Sequence, residues 1–274
     1  MRKTLFSLLL GLSCQLSADV TVEGHKVVEE LRERFNSPTI RIQLMSDAEG
    51  SQIEVKGGYN VYDPRTGNKL DTAYAASSYY MYPTIDGIKW GTEFPGIYQV
   101  LIVPDKLDTT LLISGTEYRG MAYLYQIKGT LGAVNEVALD EFVRSILSTH
   151  VPSDITETEA LAALAIALRT EALYWLGIAN NQYWDVKAGT VGYRGAAVER
   201  HDVAFEDALK TSRDLVMKKM GGTDLVSVRW FSVGESMAPA HEMQKLAQEG
   251  KDARAILEKL FGEIQIVKTS HFKN

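Results

Sequence analysis

The five histidines are the first residues to test for chemistry, because imidazole can bind a metal or move a proton near neutral pH. They stand at positions 25, 150, 201, 241 and 271. Their spacing matches no zinc site, and the chain has no HExxH, P-loop or glycine-rich dinucleotide motif. Residues 234–238 mimic a nucleophile elbow, but the final residue is alanine rather than glycine and no strand is expected before it. Generic motifs therefore assign no metal, nucleotide or serine chemistry.

One long stretch is more specific. Residues 134–143, Val-Asn-Glu-Val-Ala-Leu-Asp-Glu-Phe-Val, resemble the V-N-E-L-P-L-E-E-Y-L run of the SpoIID/LytB family, the sporulation stage II protein D group that includes amidase enhancers. Without a gap, residues 145–152 lie where the family has G-V-V-P-S-E-M-P, and residues 159–170 are similar to its E-A-L-K-A-Q-A-V-A-A-R-T. Weaker similarities follow in the family's order at 118–120, 190–195, 211–217 and 243–257. The resemblance covers about residues 39–266.

The resemblance implies peptidoglycan chemistry outside the cytoplasm. Active family members are lytic transglycosylases that cut glycan strands whose stem peptides have already been removed by an N-acetylmuramoyl-L-alanine amidase. The implied partners are therefore peptide-stripped glycan strands and such an amidase. A single acid/base group suffices, because the muramic 6-hydroxyl closes onto the anomeric carbon. The cysteines and histidines that bind zinc in some members have no counterparts, so no metal or other cofactor is expected.

The family acid, the glutamate of P-S-E-M-P, is replaced by His150. Imidazolium can donate a proton and neutral imidazole can take one back, so His150 is a candidate catalytic residue. The alternative is that His150 only stabilises the C-terminal end of a helix, where a cation interacts well with the free carbonyls. Asp154 is the better substitute acid, because Glu141, nine residues before His150, lies on roughly the opposite face of a helix.

Other family positions are retained, and the resemblance implies that they bind substrate. These are Arg169, Thr170, Tyr193 and Gly195. An arginine in an alanine-rich helix is costly to bury alone, so it either pairs with a carboxylate such as Asp154 or Glu171 or faces the sugar cleft. Two aromatic sets either stack on sugars or pack within the protein: Tyr79, Tyr80 and Tyr82, and Tyr183 with Trp184. The family glutamine is Val191 here, and the late S-Q-x-G-A motif has become residues 239–243.

The N-terminus is typical of an exported protein. Residues 1–18 combine a basic start, a short apolar run and small residues before Asp19, which predicts a signal peptide rather than a spanning helix. Cys14, the only cysteine, lies within it, so the mature chain has no disulfide. Cleavage after Ala18 leaves a soluble protein. Alternatively, residues 10–14 loosely resemble a lipoprotein box, which makes Cys14 a candidate lipid anchor in the cell envelope. No transmembrane helix is expected in the mature protein.

Periodicity predicts an α+β fold. We expect a lead-in segment at 19–38, a strand-rich part at 39–134 forming a sheet or small barrel, and a helical core at 135–274. Strands alternate first, as in Ile40-Arg41-Ile42, and roughly seven are expected. Helical spacing begins at Leu139 and ends before Pro152. A second, alanine-rich helix at about 157–176 follows the capping-box pattern of Thr156 and Glu159.

Composition sets the outer limits on function. The chain has 274 residues, 45% of them hydrophobic, and a net charge of −6, which excludes a disordered chain and argues against a nucleic-acid binder. Three hypotheses remain: a glycan-strand lytic transglycosylase with an altered acid, a non-catalytic protein that binds peptide-stripped glycan or stimulates an amidase, and a surface protein with an unrelated role on the same scaffold.

Overall fold

The computed structural model describes residues 20–179, 181, 183–196, 199–230 and 238–272. The signal peptide with Cys14 and residues 234–237 of the elbow-like run lie outside these residues. The described part is α+β, as predicted: strands dominate the N-terminal half and helices the C-terminal half.

The lead-in segment forms helix α1, Val22–Glu33. Thr21 caps it, because its Oγ1 accepts a hydrogen bond of 3.0 Å from the backbone N of Gly24. A Cβ on Gly24 would lie 2.1 Å from the carbonyl oxygen of Arg65, so only glycine allows this contact. Val28 of α1 is buried against Leu101 and neighbouring side chains of the sheet described below. The lead-in helix therefore covers one face of that sheet.

Residues 39–138 contain twelve strands, where the sequence suggested roughly seven. They are β1 Thr39–Ala48, β2 Ser51–Val55, β3 Tyr59–Tyr62, β4 Lys69–Ala73, β5 Ser77–Thr84, β6 Gly87–Trp90, β7 Thr92–Pro95, β8 Gln99–Pro104, β9 Leu111–Ile113, β10 Thr116–Tyr118, β11 Met121–Ile127 and β12 Thr130–Ala138. The predicted alternation in β1 is confirmed, since Ile40 and Ile42 are fully buried. The strand-rich part runs to Ala138 rather than Val134, because the polar Asn135 and Glu136 find buried partners within the sheet.

The later elements are mostly helical. They are α2 Leu139–His150, α3 Thr158–Ile178, β13 Val186–Lys187, α4 Ala188–Val191, α5 Val203–Thr211, β14 Leu215–Lys219, α6 Ala238–Gln248, α7 Ala253–Phe261 and β15 Ile264–Lys268. Strands form a seven-stranded sheet in the order β13-β1-β12-β11-β8-β3-β4, a six-stranded sheet in the order β10-β9-β2-β5-β6-β7, and the antiparallel pair β14-β15. In the larger sheet β1 is antiparallel to β12, with Ile40 opposite Val137.

Helix α3 is the centre of the helical part. Residues from Ala160 to Ala172 are all buried, and the helix contacts α2, α5, α6, α7 and β14. Its small side chains allow these close approaches. By length and composition α3 could span a membrane, but its apolar residues are mostly buried inside the protein.

The start of α3 differs from the prediction. Glu157 is the N-cap, and no side chain of the predicted capping box makes the capping bond. Instead, Gln244 of α6 supplies the acceptor: its Oε1 receives hydrogen bonds of 3.1 and 3.0 Å from the backbone N of Thr156 and Glu157. The side chain of Glu159 accepts a bond from the backbone N of Ala253. The capping-box prediction is wrong because Gln244 accepts from the backbone N of Thr156, the donor that the Glu159 side chain would have satisfied.

Candidate functional site

The strand-to-helix junction from β12 to α2 positions the candidate site. Asn135 on β12 is fully buried, and its Nδ2 donates to the carbonyl oxygens of Arg119 and Met121 at 2.8 and 2.9 Å. Its Oδ1 accepts a bond of 2.7 Å from the hydroxyl of Tyr193. Since this amide reaches three groups from two other segments, it fixes the chain around Tyr193 against the sheet.

Tyr193 lies beneath the protein surface. Its ring stacks between Tyr118 and Phe142, with centroid distances of 6.0 and 5.7 Å. Burial raises the pKa of Tyr193 well above its ordinary value, and the neighbouring negative charges add to this. The hydroxyl is therefore a neutral donor used within the fold. These contacts give Tyr193 a structural role, and its substrate-binding role stays a prediction.

Gly195 also serves the fold. Its φ is +67°, and a Cβ there would lie 2.1 Å from the carbonyl oxygen of Glu117. The carbonyl of Gly195 accepts a 2.6 Å bond from Ser145 Oγ of α2. A side chain is excluded both by the left-handed backbone and by the close approach. Gly195 therefore has a packing role, and its contact with substrate stays a prediction.

Arg169 and Thr170 of α3 are buried in the interior of the protein and do not reach a surface cleft. The Arg169 guanidinium bonds Asp140 at 2.8 Å and the carbonyl oxygens of Ser212 and Leu215 at 2.8 and 3.2 Å. Burial lowers the pKa of Arg169, and the charge of Asp140 opposes that shift. Arginine is thus paired with a carboxylate, as one alternative expected, but the partner is neither Asp154 nor Glu171.

The hydroxyl of Thr170 both donates and accepts a hydrogen bond. Its Oγ1 donates to the carbonyl of Ile166 at 2.7 Å and accepts a bond of 2.9 Å from the backbone N of Met217 in β14. The residue therefore attaches β14 to α3. The side chains of Thr170 and Arg169 both make hydrogen bonds to interior partners, and their role in substrate binding stays a prediction.

His150 lies at the C-terminal end of α2, half-buried against the segment that contains Val191. Its Nε2 is 2.9 Å from the carbonyl oxygen of Val191. A carbonyl only accepts, so this bond requires a proton on Nε2, and the neutral ring must then carry its lone pair on Nδ1. In the part of the chain that the structure describes, Nδ1 has no hydrogen-bond partner. The ring is thus oriented with one nitrogen held and the other available for proton transfer.

Three side-chain bonds hold Val191, Gly195 and Arg200 against α2. Besides His150 with Val191, they are Ser145 Oγ to the Gly195 carbonyl and the Arg200 backbone N to Ser148 Oγ at 3.0 Å. These contacts bring His150, Tyr193 and Gly195 into one region. Asp154 is held elsewhere: it is exposed, and its Oδ2 lies 3.1 Å from Nε2 of His241 on α6.

A charged cluster lies on the same side of α2. Arg119 pairs with Glu141 at 2.9 Å and also contacts Glu199, whose side chain is almost fully buried. Burial lowers the pKa of Arg119, but the hydrogen bond with Glu199 and the two negative charges outweigh it and raise the pKa overall. Sequence reasoning missed this cluster, because only the resemblance at 118–120 marked Arg119 and nothing marked Glu199.

Sequence reasoning also missed the network around Glu136, which is fully buried in β12. Arg32 of α1 donates to it from Nε at 2.5 Å and from Nη2 at 3.2 Å, and the hydroxyls of Thr39 and Tyr123 donate at 2.5 and 2.7 Å. Burial lowers the pKa of Arg32, but the charge and hydrogen bonds of Glu136 more than offset it, and the pKa is raised. The sequence did contain a sign of this network, because Glu136 is the glutamate of the V-N-E motif that residues 134–143 share with the family.

The two aromatic sets differ in placement. Tyr79, Tyr80 and Tyr82 are exposed on β5, with the rings of Tyr80 and Tyr82 6.2 Å apart. Tyr183 packs edge-on against Tyr125 at 4.9 Å, and its ring stacks on Trp184 at 6.2 Å. Trp184 is half-buried and borders a cleft of about 530 Å³ between the end of α3 and the β13–α4 segment. Trp184 of the second set therefore borders a surface cleft, whereas the first set lies on an exposed strand.

No group of three His, Cys, Asp or Glu side chains suited to a metal ion occurs among the described residues.

Comparison with known proteins confirms the family resemblance. The model of the SpoIID family, described as stage II sporulation protein, matches residues 127–218, which include α2, α3 and the His150 region. An uncharacterized protein of Chlamydia pneumoniae is 30% identical over 97% of this chain and 94% of its own length. The chain belongs to the SpoIID family, and this family is related to sporulation and the cell wall.

Two further relatives are also uncharacterized. One, from Chlamydia muridarum, is 28% identical over 94% of this chain and 87% of its own length. The other, from Brachyspira hyodysenteriae, is 28% identical over 65% of this chain and 48% of its own length. No solved structure matches the chain.

Proposed function

We propose that this protein is an exported lytic transglycosylase that cleaves peptide-stripped glycan strands of peptidoglycan, with His150 as its acid/base. The observation that carries the proposal is the orientation of the His150 ring at the position of the family acid. The Val191 carbonyl holds Nε2–H, which leaves Nδ1 for the substrate. A hydrogen-bonded partner of this kind fixes the tautomer and the orientation of the ring.

In the proposed reaction, protonated His150 donates the Nδ1 proton to the glycosidic oxygen as its bond to the anomeric carbon breaks. The leaving strand departs with a new hydroxyl. The neutral ring then accepts, again at Nδ1, the proton of the muramic 6-hydroxyl while that oxygen bonds to the anomeric carbon. Throughout both steps Nε2–H remains bound to the Val191 carbonyl. One group thus performs both proton transfers, and no water enters the product.

The test is mass spectrometry of amidase-treated peptidoglycan after incubation with the protein, searching for anhydro-muramic ends. His150→Ala is expected to lower turnover about a hundredfold or more, the usual contribution of general acid–base catalysis. His150→Glu restores the family acid and should retain activity with a different pH–rate profile, because carboxyl and imidazole groups titrate in different ranges. His25→Ala, a change of an exposed histidine on α1, is the matched control and should cleave normally, because His25 contacts neither His150 nor Asp154.

Asp154 is the alternative acid. If His150→Ala cleaves as fast as the wild type while Asp154→Asn does not, the acid is Asp154 and His150 only stabilises the end of α2. If neither change alters cleavage, both assignments are wrong.

The second candidate function is a non-catalytic one, in which the protein binds peptide-stripped glycan or stimulates an amidase. The observation that favours it is that the retained family residues Arg169, Thr170, Tyr193 and Gly195 are all engaged inside the fold. Binding of stripped strands without anhydro-muramic products, by both wild type and His150→Glu, would support this function. Faster amidase turnover on intact sacculi in its presence would identify the amidase as the partner.

Export is part of the proposal and is tested separately. The protein is expected in the periplasm or cell envelope on cell fractionation. Cleavage after Ala18 predicts that Cys14→Ala leaves its release unchanged. Palmitate labelling that disappears in Cys14→Ala would instead identify a lipoprotein.

A further inference from the structure

The cleft beside Val191 has the composition of a carbohydrate site. Trp175 at the end of α3 and Trp184 before β13 form its aromatic walls, and both are half-buried. Polar side chains complete the lining: Asn181, Lys187 and Thr190. Indole rings stack on the apolar faces of sugars, while amide, hydroxyl and ammonium groups bind their oxygens.

Both tryptophans are held in place by packing within the protein. The Trp175 ring meets Phe142 edge-on at 6.3 Å, and Phe142 stacks on Tyr193. Trp184 stacks on Tyr183, and the backbone N of each donates to Oδ1 of Asn181, at 3.3 and 2.8 Å. The Asn181 amide NH₂ therefore remains as a donor. Rings that are ordered before a ligand arrives lose little entropy on binding it.

The side chains that line the cleft carry a more positive net charge than the protein as a whole. Asp185 in its lining is neutralised by Arg41, whose Nη2 lies 2.8 Å from Oδ1. Lys187 is exposed, and within the described residues it forms no ion pair. Since the whole chain carries a net charge of −6, an unpaired cation beside two tryptophans favours a ligand that combines sugar rings with carboxylates.

Stem-peptide removal creates such a ligand. When an amidase hydrolyses the bond between the lactyl group of muramic acid and the first amino acid, the lactyl group is left as a free carboxylate. An intact strand carries an amide there, and an N-acetylglucosamine oligomer carries no lactyl group.

We propose that the Trp175–Trp184 cleft binds a muramic acid residue of a peptide-stripped strand, with Lys187 pairing with its free lactyl carboxylate. The proposal rests on the proposed function and extends it to a residue that selects the substrate. Val191 joins the two regions, because its side chain lines the cleft and its carbonyl holds His150. One residue of the cleft lining is thus in contact with the proposed acid/base, which does not itself line the cleft.

The experiment measures binding by tryptophan fluorescence in a His150→Ala background, so that no strand is cut. The probes are peptide-stripped glycan oligomers and N-acetylglucosamine oligomers of equal length. Lys187→Ala should weaken binding of the stripped oligomers about fivefold, which corresponds to about 1 kcal/mol for an exposed ion pair, and leave the other probe unaffected. Lys187→Glu should weaken binding of the stripped oligomers more than Lys187→Ala does. Added salt should remove the difference between wild type and Lys187→Ala.

Two controls complete the design. Trp184→Ala should weaken the binding of both probes, because stacking does not depend on the carboxylate. Lys106→Ala, a change of an exposed lysine, should alter the binding of neither probe. Equal loss for both probes in Lys187→Ala, or no loss for either, overturns the proposal. The binding result is independent of cleavage. If binding depends on Lys187 but no anhydro-muramic products form, the proposed transglycosylase activity is wrong and the proposed role of the cleft stands. If the strands are cleaved but binding does not depend on Lys187, the activity stands and the proposed role of the cleft is wrong.

Discussion

Arg32 of the lead-in helix and Glu136 of β12 form a double hydrogen bond although 104 positions separate them. The carboxylate is completely inaccessible to solvent, and Arg32 is its only cationic hydrogen-bond donor among the described residues. Since Glu136 belongs to the run that carries the family resemblance, a helix outside the matched segment 127–218 completes the environment of a motif residue inside it.

Arg32→Ala is expected to destabilise the protein by about 3 kcal/mol, because it leaves a buried charge without its counter-ion. The measurement is urea unfolding, read as a lower midpoint at unchanged slope. Lys26→Ala, which removes an exposed 3.9 Å pair on the same helix, should cost under about 0.5 kcal/mol. A further Glu136→Gln change in the Arg32→Ala protein should recover part of the loss. Equal midpoints for Arg32→Ala and Lys26→Ala would contradict the pairing.

Arg169→Ala is expected to lower stability by about 3 kcal/mol, because Asp140 and two backbone carbonyls lose their donor. Glycan affinity, measured on protein that remains folded, should stay the same. The control is Arg254→Ala on α7, an arginine that lines no described cleft. Unchanged stability with lost affinity would restore the original prediction of substrate binding.

Gly192→Ala is expected to reduce glycan cleavage at least tenfold if His150 is the acid. A Cβ at this position would lie 2.2 Å from His150 Nε2, so the ring must move from the Val191 carbonyl. Gly221→Ala is a matched control, because its φ of +71° resembles the +68° of Gly192 but no atom lies within 4 Å of the added carbon. Both variants should lose about 1 kcal/mol of stability from backbone strain. Equal cleavage by the two would show that the His150 orientation does not matter.

Because Tyr193 is buried, we expect the protein to lose stability at alkaline pH. Unfolded tyrosine ionises near pH 10, whereas the folded residue has a raised pKa because it is buried. The stability linked to this group is therefore complete below pH 10 and is lost as the pH rises above it. Tyr193→Phe should cost about 1–3 kcal/mol at pH 7, since Asn135 Oδ1 loses its donor, and the deficit should narrow above pH 10. Tyr74→Phe, at an exposed position, should show no deficit at any pH.

Local patterns predicted much of the fold. The alternation around Ile40 and the apolar spacing from Leu139 gave β1 and α2, and Pro152 marked the end of α2. These features depend on neighbouring residues in the chain. The strand count was too low because strands such as β6 and β7, with four residues each, and β10, with three, are too short to display a period.

The contacts that the sequence did not predict are long-range ones. Gln244 replaced the capping box, Asp140 rather than Asp154 or Glu171 pairs with Arg169, and Arg32 reaches Glu136. In each case several residues of the correct type were available, and only the packing of distant elements selects among them. The family resemblance marked His150, Tyr193 and Gly195, which lie in one region of the structure, but it could not distinguish a buried supporting residue from one that faces a ligand.

The pairing of β1 with β12 also has a consequence for how the chain acquires its structure. Thr39 at the start of β1 bonds Glu136, 97 positions later, so the larger sheet cannot close until nearly half of the chain is present. Contacts of such sequence separation slow folding, because the intervening chain must first lose its freedom. Until β12 arrives, β1 keeps an open edge and α1 lacks the partner of Arg32. We therefore expect slow refolding and aggregation of fragments that end before residue 138.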